Sequence, residues 1–399
     1  MTPQTPADTR VIRVLLGSTV LSKVADWQLG IVIPLAVLAE TDSVAMSLVS
    51  FAMRGVSYVA SPVIGSLIDR FDRRRIFVLA QVQQAVCLVL LAVFISHPVS
   101  VSALVLVSGL GGVASSITGQ FVLIPALVSA PARALAVAKL NSAIEFSKVI
   151  GLLAGGTAFS LLGPAATSLC IALLYLGAGS VAALLPPVPG NEEKTALRRD
   201  LTIGFRWVAK PEILWLVITM SMTNIAIGQL EPALITQFAD RQINVTLISV
   251  LMAIGLLSGA VASRLAPRIL PGWGPERRIL AWQVVGLASL TLVATPWTPV
   301  QVAGFMIECF AVAGSNVASI TYRQETIPVE VAGRANATIR MFITGAVPLS
   351  GFLFAWASHL GGYRFWLPSL AIWALAVVIW AVYTRHGNRL KEPEAAATG

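Results

Sequence analysis

The chain has 399 residues, of which 56% are hydrophobic and only 12% charged, with a net charge of +9 and a mean hydropathy of +0.80. A soluble domain carries about 25% charged residues, so most of this surface faces lipid rather than water. The basic residues lie in short segments between apolar runs, which argues against a nucleic-acid-binding face and fits loops at a membrane surface.

A spanning helix needs about 20 largely apolar residues. Twelve such stretches are predicted: 11–38, 43–67, 76–95, 100–125, 138–162, 166–186, 211–237, 245–266, 278–296, 299–321, 336–358 and 363–384. The first is read as a retained span, because no small-residue cleavage site follows it. Cys87, Cys170 and Cys309 fall inside apolar runs with no CxxC spacing, and His97, His359 and His386 are scattered near segment ends. No disulfide framework, metal site or cofactor is therefore expected.

The links alternate in charge. One side collects Arg10, Arg13, Arg70, Arg73, Arg74, Arg75, Arg133, Lys139, Lys194, Arg264, Arg268, Arg277, Arg278, Arg323 and Arg334, while the other has only Arg241 and Arg364. An excess of Lys and Arg marks cytoplasmic loops, so both termini are expected in the cytoplasm of a bacterial inner-membrane protein. Trp297 and Trp366 lie near span ends, where interfacial aromatics anchor helices. The longest polar stretch, 187–210, divides the spans six and six. In it Leu197, Leu201, Phe205 and Val208 recur at near-helical spacing opposite arginines, the pattern of a short helix lying on the membrane surface. The expected organisation is a helical bundle over 1–186, the linker 187–210, a second bundle over 211–384 and a cytoplasmic tail over 385–399.

An internal repeat supports this division. GLGGVASSITGQFVLIP (109–125) aligns without gaps on VAGSNVASITYRQETIP (312–328), with six of seventeen positions identical. Both copies end a span and enter a basic loop. A repeat with an even number of spans keeps its orientation, so the halves are expected to be related by an axis along the membrane normal.

The link 65–76, GSLIDRFDRRRI, has six ionised residues among twelve. It resembles the loop G-x-L-x-D-R-x-G-R-R between the second and third spans of major facilitator superfamily transporters, through Gly65, Leu67, Asp69, Arg70, Arg73 and Arg74; Asp72 stands where that family has a second glycine. With the twelve spans and the repeat, the resemblance covers essentially the whole chain. It implies an all-α membrane protein of two pseudo-symmetric six-helix bundles. It also implies that Asp69 meets the positive N-terminal end of the eleventh helix, near Asn336, and that Gly65, Asp69, Arg70, Arg73 and Arg74 form a conformational latch. Gly65 is expected to permit close helix approach.

Exporters of that superfamily carry a fifth span of the form G-x-x-x-G-P-x-x-G-G. Here Gly151, Gly155 and Gly156 match it, with Leu152 where proline is usual; the eleventh span has Gly345, Pro348 and Gly351. These residues are expected to pack helices closely and to allow a bend.

Charged side chains in a span cost about 2.5–3.5 kcal/mol or more each, so they face cavities and find partners. Lys23, Asp26, Arg54, Glu145, Lys148 and Glu308 stand out. Lys23 and Asp26 share a helix face, as do Glu145 and Lys148. At a rise of about 1.5 Å per residue, Asp26 lies about 22 Å and Arg54 about 20 Å from the same side of the membrane, so the two are expected to pair across the first two spans. Asp26, Glu145 or Glu308 is the expected proton-exchanging group, with Asn224, Gln229 and Asn316 as neutral cavity residues. Glu231 is placed further out, toward the rim. The N-terminal half has more buried cations than anions, which suits an acidic or oxygen-rich substrate.

The functional expectation is a proton-coupled exporter of a small polar or amphipathic molecule, best a siderophore, working as a monomer. The loop 321–342, TYRQETIPVEVAGRANATIRMF, resembles the exporter branch of enterobactin, alcaligin and macrolide-type exporters. The rival is a multidrug efflux pump; a nutrient importer fits the fifth-span glycines less well. A membrane enzyme would need clustered catalytic groups, and ATP drive would need a GxxxxGK[ST] loop; the sequence has neither. The expected partners are a small-molecule substrate, protons and the lipid bilayer, and no nucleic acid.

Overall fold

A computed structural model describes residues 6–190 and 197–397. All regular structure among them is helical. The helices are α1 (Pro6–Thr41), α2 (Val44–Val56), α3 (Ser61–Arg70), α4 (Arg73–Val93), α5 (Pro98–Ile117), α6 (Leu123–Leu127), α7 (Ala130–Ala182), α8 (Leu197–Val208), α9 (Pro211–Ile227), α10 (Leu230–Asp240), α11 (Val245–Leu265), α12 (Pro275–Val293), α13 (Thr298–Thr326), α14 (Val329–Gly345), α15 (Val347–Ala357) and α16 (Leu367–Ala397). Hydrocarbon offers no hydrogen bonds, so a crossing backbone must satisfy its own polar groups, and helices do so within each segment.

Nine segments among the described residues are long and apolar enough to cross a membrane; α2 with α3, bent by 57°, makes a tenth. One of the nine, Leu135–Ala182, is 48 residues long, well over one bilayer thickness. It turns at Gly163, whose φ of 76° suits only a residue without Cβ, and Pro164 follows. This splits it into the fifth and sixth spans. Helix α12 has 19 residues and opens on Glu276, Arg277 and Arg278, charges that lower its hydropathy without shortening it. It is not one of the nine; counting it together with the split of Leu135–Ala182 reaches the twelve expected from the sequence.

The helices are dressed inside out relative to a soluble protein. Val59, Val99 and Leu161 are more than 70% exposed, while Gln81, Gln84, Gln283 and Gln301 are buried. Lipid replaces water as the solvent for the aliphatic faces, and amides turn inward to find partners.

The chain divides into two compact units, Met1–Lys194 with Leu230–Ala253, and Thr195–Gln229 with Ile254–Gly399. In the first, α1 packs along α7, and α10 packs on α1 and α2. In the second, α12 packs on α13, α16 on α9, and α8 on α14. The sequence repeat has a structural counterpart in each unit. A Cβ on Gly111 of α5 would lie 2.8 Å from the Ala80 carbonyl oxygen of α4, and one on Gly314 of α13 would lie 2.6 Å from the Trp282 ring of α12. These glycines align in the repeat and set the same close crossing of consecutive spans.

The charged bend is stitched to the end of the sixth span. Asp72 caps α4, its carboxylate accepting from the Arg75 amide at 2.9 Å. The Arg73 amide donates to the Val188 carbonyl at 2.9 Å, and the Arg74 guanidinium donates to the Leu185 carbonyl at 3.1 Å. A Cβ on Gly190 would lie 2.5 Å from the Arg70 carbonyl, so only glycine passes there. The departure at Asp72 is thus a helix cap. Replacing it by Ala is expected to cost about 0.5–2 kcal/mol and replacing it by Gly only a few tenths, read as the order of the thermal unfolding midpoints.

Candidate functional site

The ionised residues of the first spans converge in the first unit. Lys23 and Asp26 stand one turn apart on α1, and the Lys23 ammonium donates to Asp26 Oδ2 at 2.7 Å. Arg54, from the last turn of α2, donates to Asp26 Oδ1. Tyr175, on the sixth span, donates its hydroxyl to the same Oδ1 at 2.6 Å. The guanidinium also reaches Ser108 Oγ at 3.1 Å, Gln84 Oε1 at 3.2 Å and the Tyr175 hydroxyl at 3.2 Å. Five spans thus supply one cluster.

It has room because of α5: a Cβ on Gly112 would lie 3.1 Å from the guanidinium. The cluster holds two cations and one anion. The Asp26 and Arg54 side chains keep 17% and 15% of their surface, so they are partly reachable rather than sealed.

The pairing of Asp26 with Arg54 and Lys23 agrees with the depth argument from sequence. Tyr175, Gln84 and Ser108 were not anticipated. Gln84, one helical turn after Gln81 in a run whose only other polar residue past the opening arginines is Gln83, was the available signal; a lone Tyr in an apolar span gives none.

Glu145 and Lys148 pair at 2.8 Å on α7, and the ammonium lies 5.4 Å from the Trp27 ring centroid. The fifth-span glycines hold α7 against its neighbours. A Cβ at Gly151 would lie 2.6 Å from Trp27 Cβ, and one at Gly155 would lie 3.0 Å from Gln28 Cα. Gly156 meets Ser249 of α11 so closely that a Cβ would overlap its hydroxyl. Gly345 and Gly65 differ: nothing among the described residues comes within 4 Å of a Cβ there. Gly345 instead closes α14 at a break in the eleventh span, and Pro348 follows at the start of α15.

A second polar group lies in the second unit, where two broken helices cross. The seventh span breaks at Gly228 and Gln229, between α9 and α10. The Asn224 amide donates to the Ile343 carbonyl at 2.7 Å, and the Gln229 backbone amide donates to Ser350 Oγ at 3.0 Å. A Cβ on Gly228 would lie 3.2 Å from Val347 Cα, so the two breaks touch. Gln229 is buried and its Oε1 has no partner among the described residues. On α13, Glu308 is buried and Asn316 exposed. Gln283 accepts from Thr223 at 2.9 Å and donates to Ser315 at 3.1 Å. Gln81 donates to Ser115 at 2.7 Å in the first unit, so each unit ties consecutive spans by a Gln–Ser bond. Asp69 is exposed and makes no ion pair among the described residues. No group of residues suited to holding a metal ion occurs among the described residues.

Similar folds recur among solved transporters. The nucleoside transporter NupG matches with a TM-score of 0.75 and 13% identity, over 94% of this chain and 98% of its own. A bacterial homologue of the iron transporter ferroportin matches at 0.71 and 18%, over 94% and 98%. The human organic anion transporter MFSD10 matches at 0.66 and 16%, over 94% and 100%. No curated protein matches the sequence. The sequence model of the Major Facilitator Superfamily matches residues 15–347. Together with the helical architecture, this match places the chain in the Major Facilitator Superfamily, as a multi-pass membrane transporter.

Proposed function

We propose that this transporter is a proton-driven exporter of a small oxygen-rich molecule, best a siderophore in its iron-free form. One observation carries the reading: a single carboxylate, Asp26, is shared by Lys23, Arg54 and Tyr175 at a partly reachable site. A hydroxamate or catechol has an O–H to donate to that carboxylate, and a second oxygen to accept from Arg54 or Lys23. A protonated Asp26 can no longer accept in this way. Proton and cargo therefore compete for one group, and competition at a site exposed to each side in turn gives exchange. The proton gradient loads Asp26 from outside, the cargo leaves, and cargo from inside displaces the proton. The fifth-span glycines, packed on α1 beside this cluster, fit the exporter pattern.

The test compares culture supernatants of wild-type and deletion cells under iron limitation. The expected result is several-fold less siderophore outside deletion cells and more inside. Normal secretion with altered drug sensitivity alone would refute the siderophore assignment and favour multidrug efflux.

A further inference from the structure

Glu231 lies on the first turn of α10, where the seventh span restarts after its break. Helix α10 packs on α1 and α2 within the first unit. There the carboxylate faces Gly30: a Cβ on that glycine would lie 3.9 Å from Glu231 Oε1 and 3.9 Å from the Phe51 ring. Oε1 is buried and has no hydrogen-bond donor among the described residues, while the residue as a whole is only partly buried. The Oε1 edge of the carboxyl is closed off by α1. A buried acceptor left without a donor costs about 1–3 kcal/mol, more if charged, and that cost falls when the group is neutral.

The Lys148 ammonium lies 5.4 Å from the centroid of the Trp27 ring, one turn before Gly30 on α1, and pairs with Glu145 at 2.8 Å. Within two turns of Gly30 on α1 the ionised groups are Lys23 and Asp26, and α2 adds Arg54; these three hold one another, while Asp8, Arg10, Arg13 and Glu40 lie nearer the ends of α1. The described part of α11 in this unit, through Ala253, adds none.

We propose that Glu231 is a second proton-carrying carboxyl of the transport cycle, with Lys148 as the cation it shares with Glu145. The carboxylate takes one proton from water on one side and becomes a neutral carboxyl, so Lys148 rests on Glu145. On the other side it returns the proton to water as a carboxylate, and Lys148 turns toward it. The proposal rests on the proton-coupled reading but adds a site separate from Asp26.

Infrared difference spectra on a pH step, taken on the full chain in lipid vesicles, use the proton itself as probe. The expected protonated-carboxyl band has two components, one lost in D26N and the other in E231Q. In K148Q, which keeps the carboxyl, the Glu231 component appears at a changed pH. An unaltered band in E231Q, or an unmoved component in K148Q, overturns the proposal. A band lost in E231Q but insensitive to D26N supports Glu231 and contradicts the Asp26 reading.

Discussion

Replacing Arg54 by Met is expected to cost about 3–5 kcal/mol of stability, the scale for removing one partner of a buried ion pair, and to abolish transport. The loss is large because the guanidinium serves Asp26, Tyr175, Gln84 and Ser108 together. Met fills part of the volume but leaves the carboxylate with Lys23 and a single hydroxyl. It also strips Gln84 Oε1 of the only hydrogen bond shown for it. Arg54→Lys keeps the charge without the planar fork, so it is expected to recover part of the stability. Thermal denaturation of the purified proteins in one detergent reads the order: wild type, then Lys, then Met. Equal midpoints for wild type and Met would mean that the cluster contributes nothing.

Gly151→Val is expected to remove most of the folded protein. A Cβ at this position meets Trp27 Cβ at 2.6 Å and the Val24 carbonyl oxygen at 2.7 Å. One is the rigid base of a side chain and the other is backbone, so neither yields without moving α1. Overpacking costs about 1–3 kcal/mol where neighbours can relax; here the helix that must move also carries Lys23 and Asp26. The control is Gly65→Val, where a Cβ meets nothing within 4 Å among the described residues. Full expression of G65V beside loss of G151V in membrane fractions supports the packing argument. Similar expression of both contradicts it.

The helical architecture was legible because lipid leaves the backbone few options: length and apolarity alone locate a span. The fifth and sixth spans show this, with the expected gap at 163–165 falling on the turn at Gly163. Depth along a helix is also linear in sequence, which is why Asp26 and Arg54 could be matched in height. Azimuth and neighbour order are not linear in sequence. Tyr175 reaches Asp26 from a span about 150 residues later, and nothing local announces that contact. Glu231 was placed by height near a rim; its facing of Gly30 depends on α10 restarting after the break at Gly228–Gln229. The adjoining unit boundary gives Leu230–Ala253 to the first unit, which no composition shift marks. Asp72 looked like a lapse from a glycine pattern and is a cap, a role visible only once α4 is seen to begin at Arg73.

The claim on which the account turns is that Asp26 exchanges a proton for cargo. Everted membrane vesicles, energised so that their interior is acidic, report this through a quenched pH-sensitive dye when iron-free siderophore from the supernatant is added. The account predicts saturable recovery of fluorescence with the wild-type chain and none with D26N present at equal abundance. Equal recovery with D26N would contradict it.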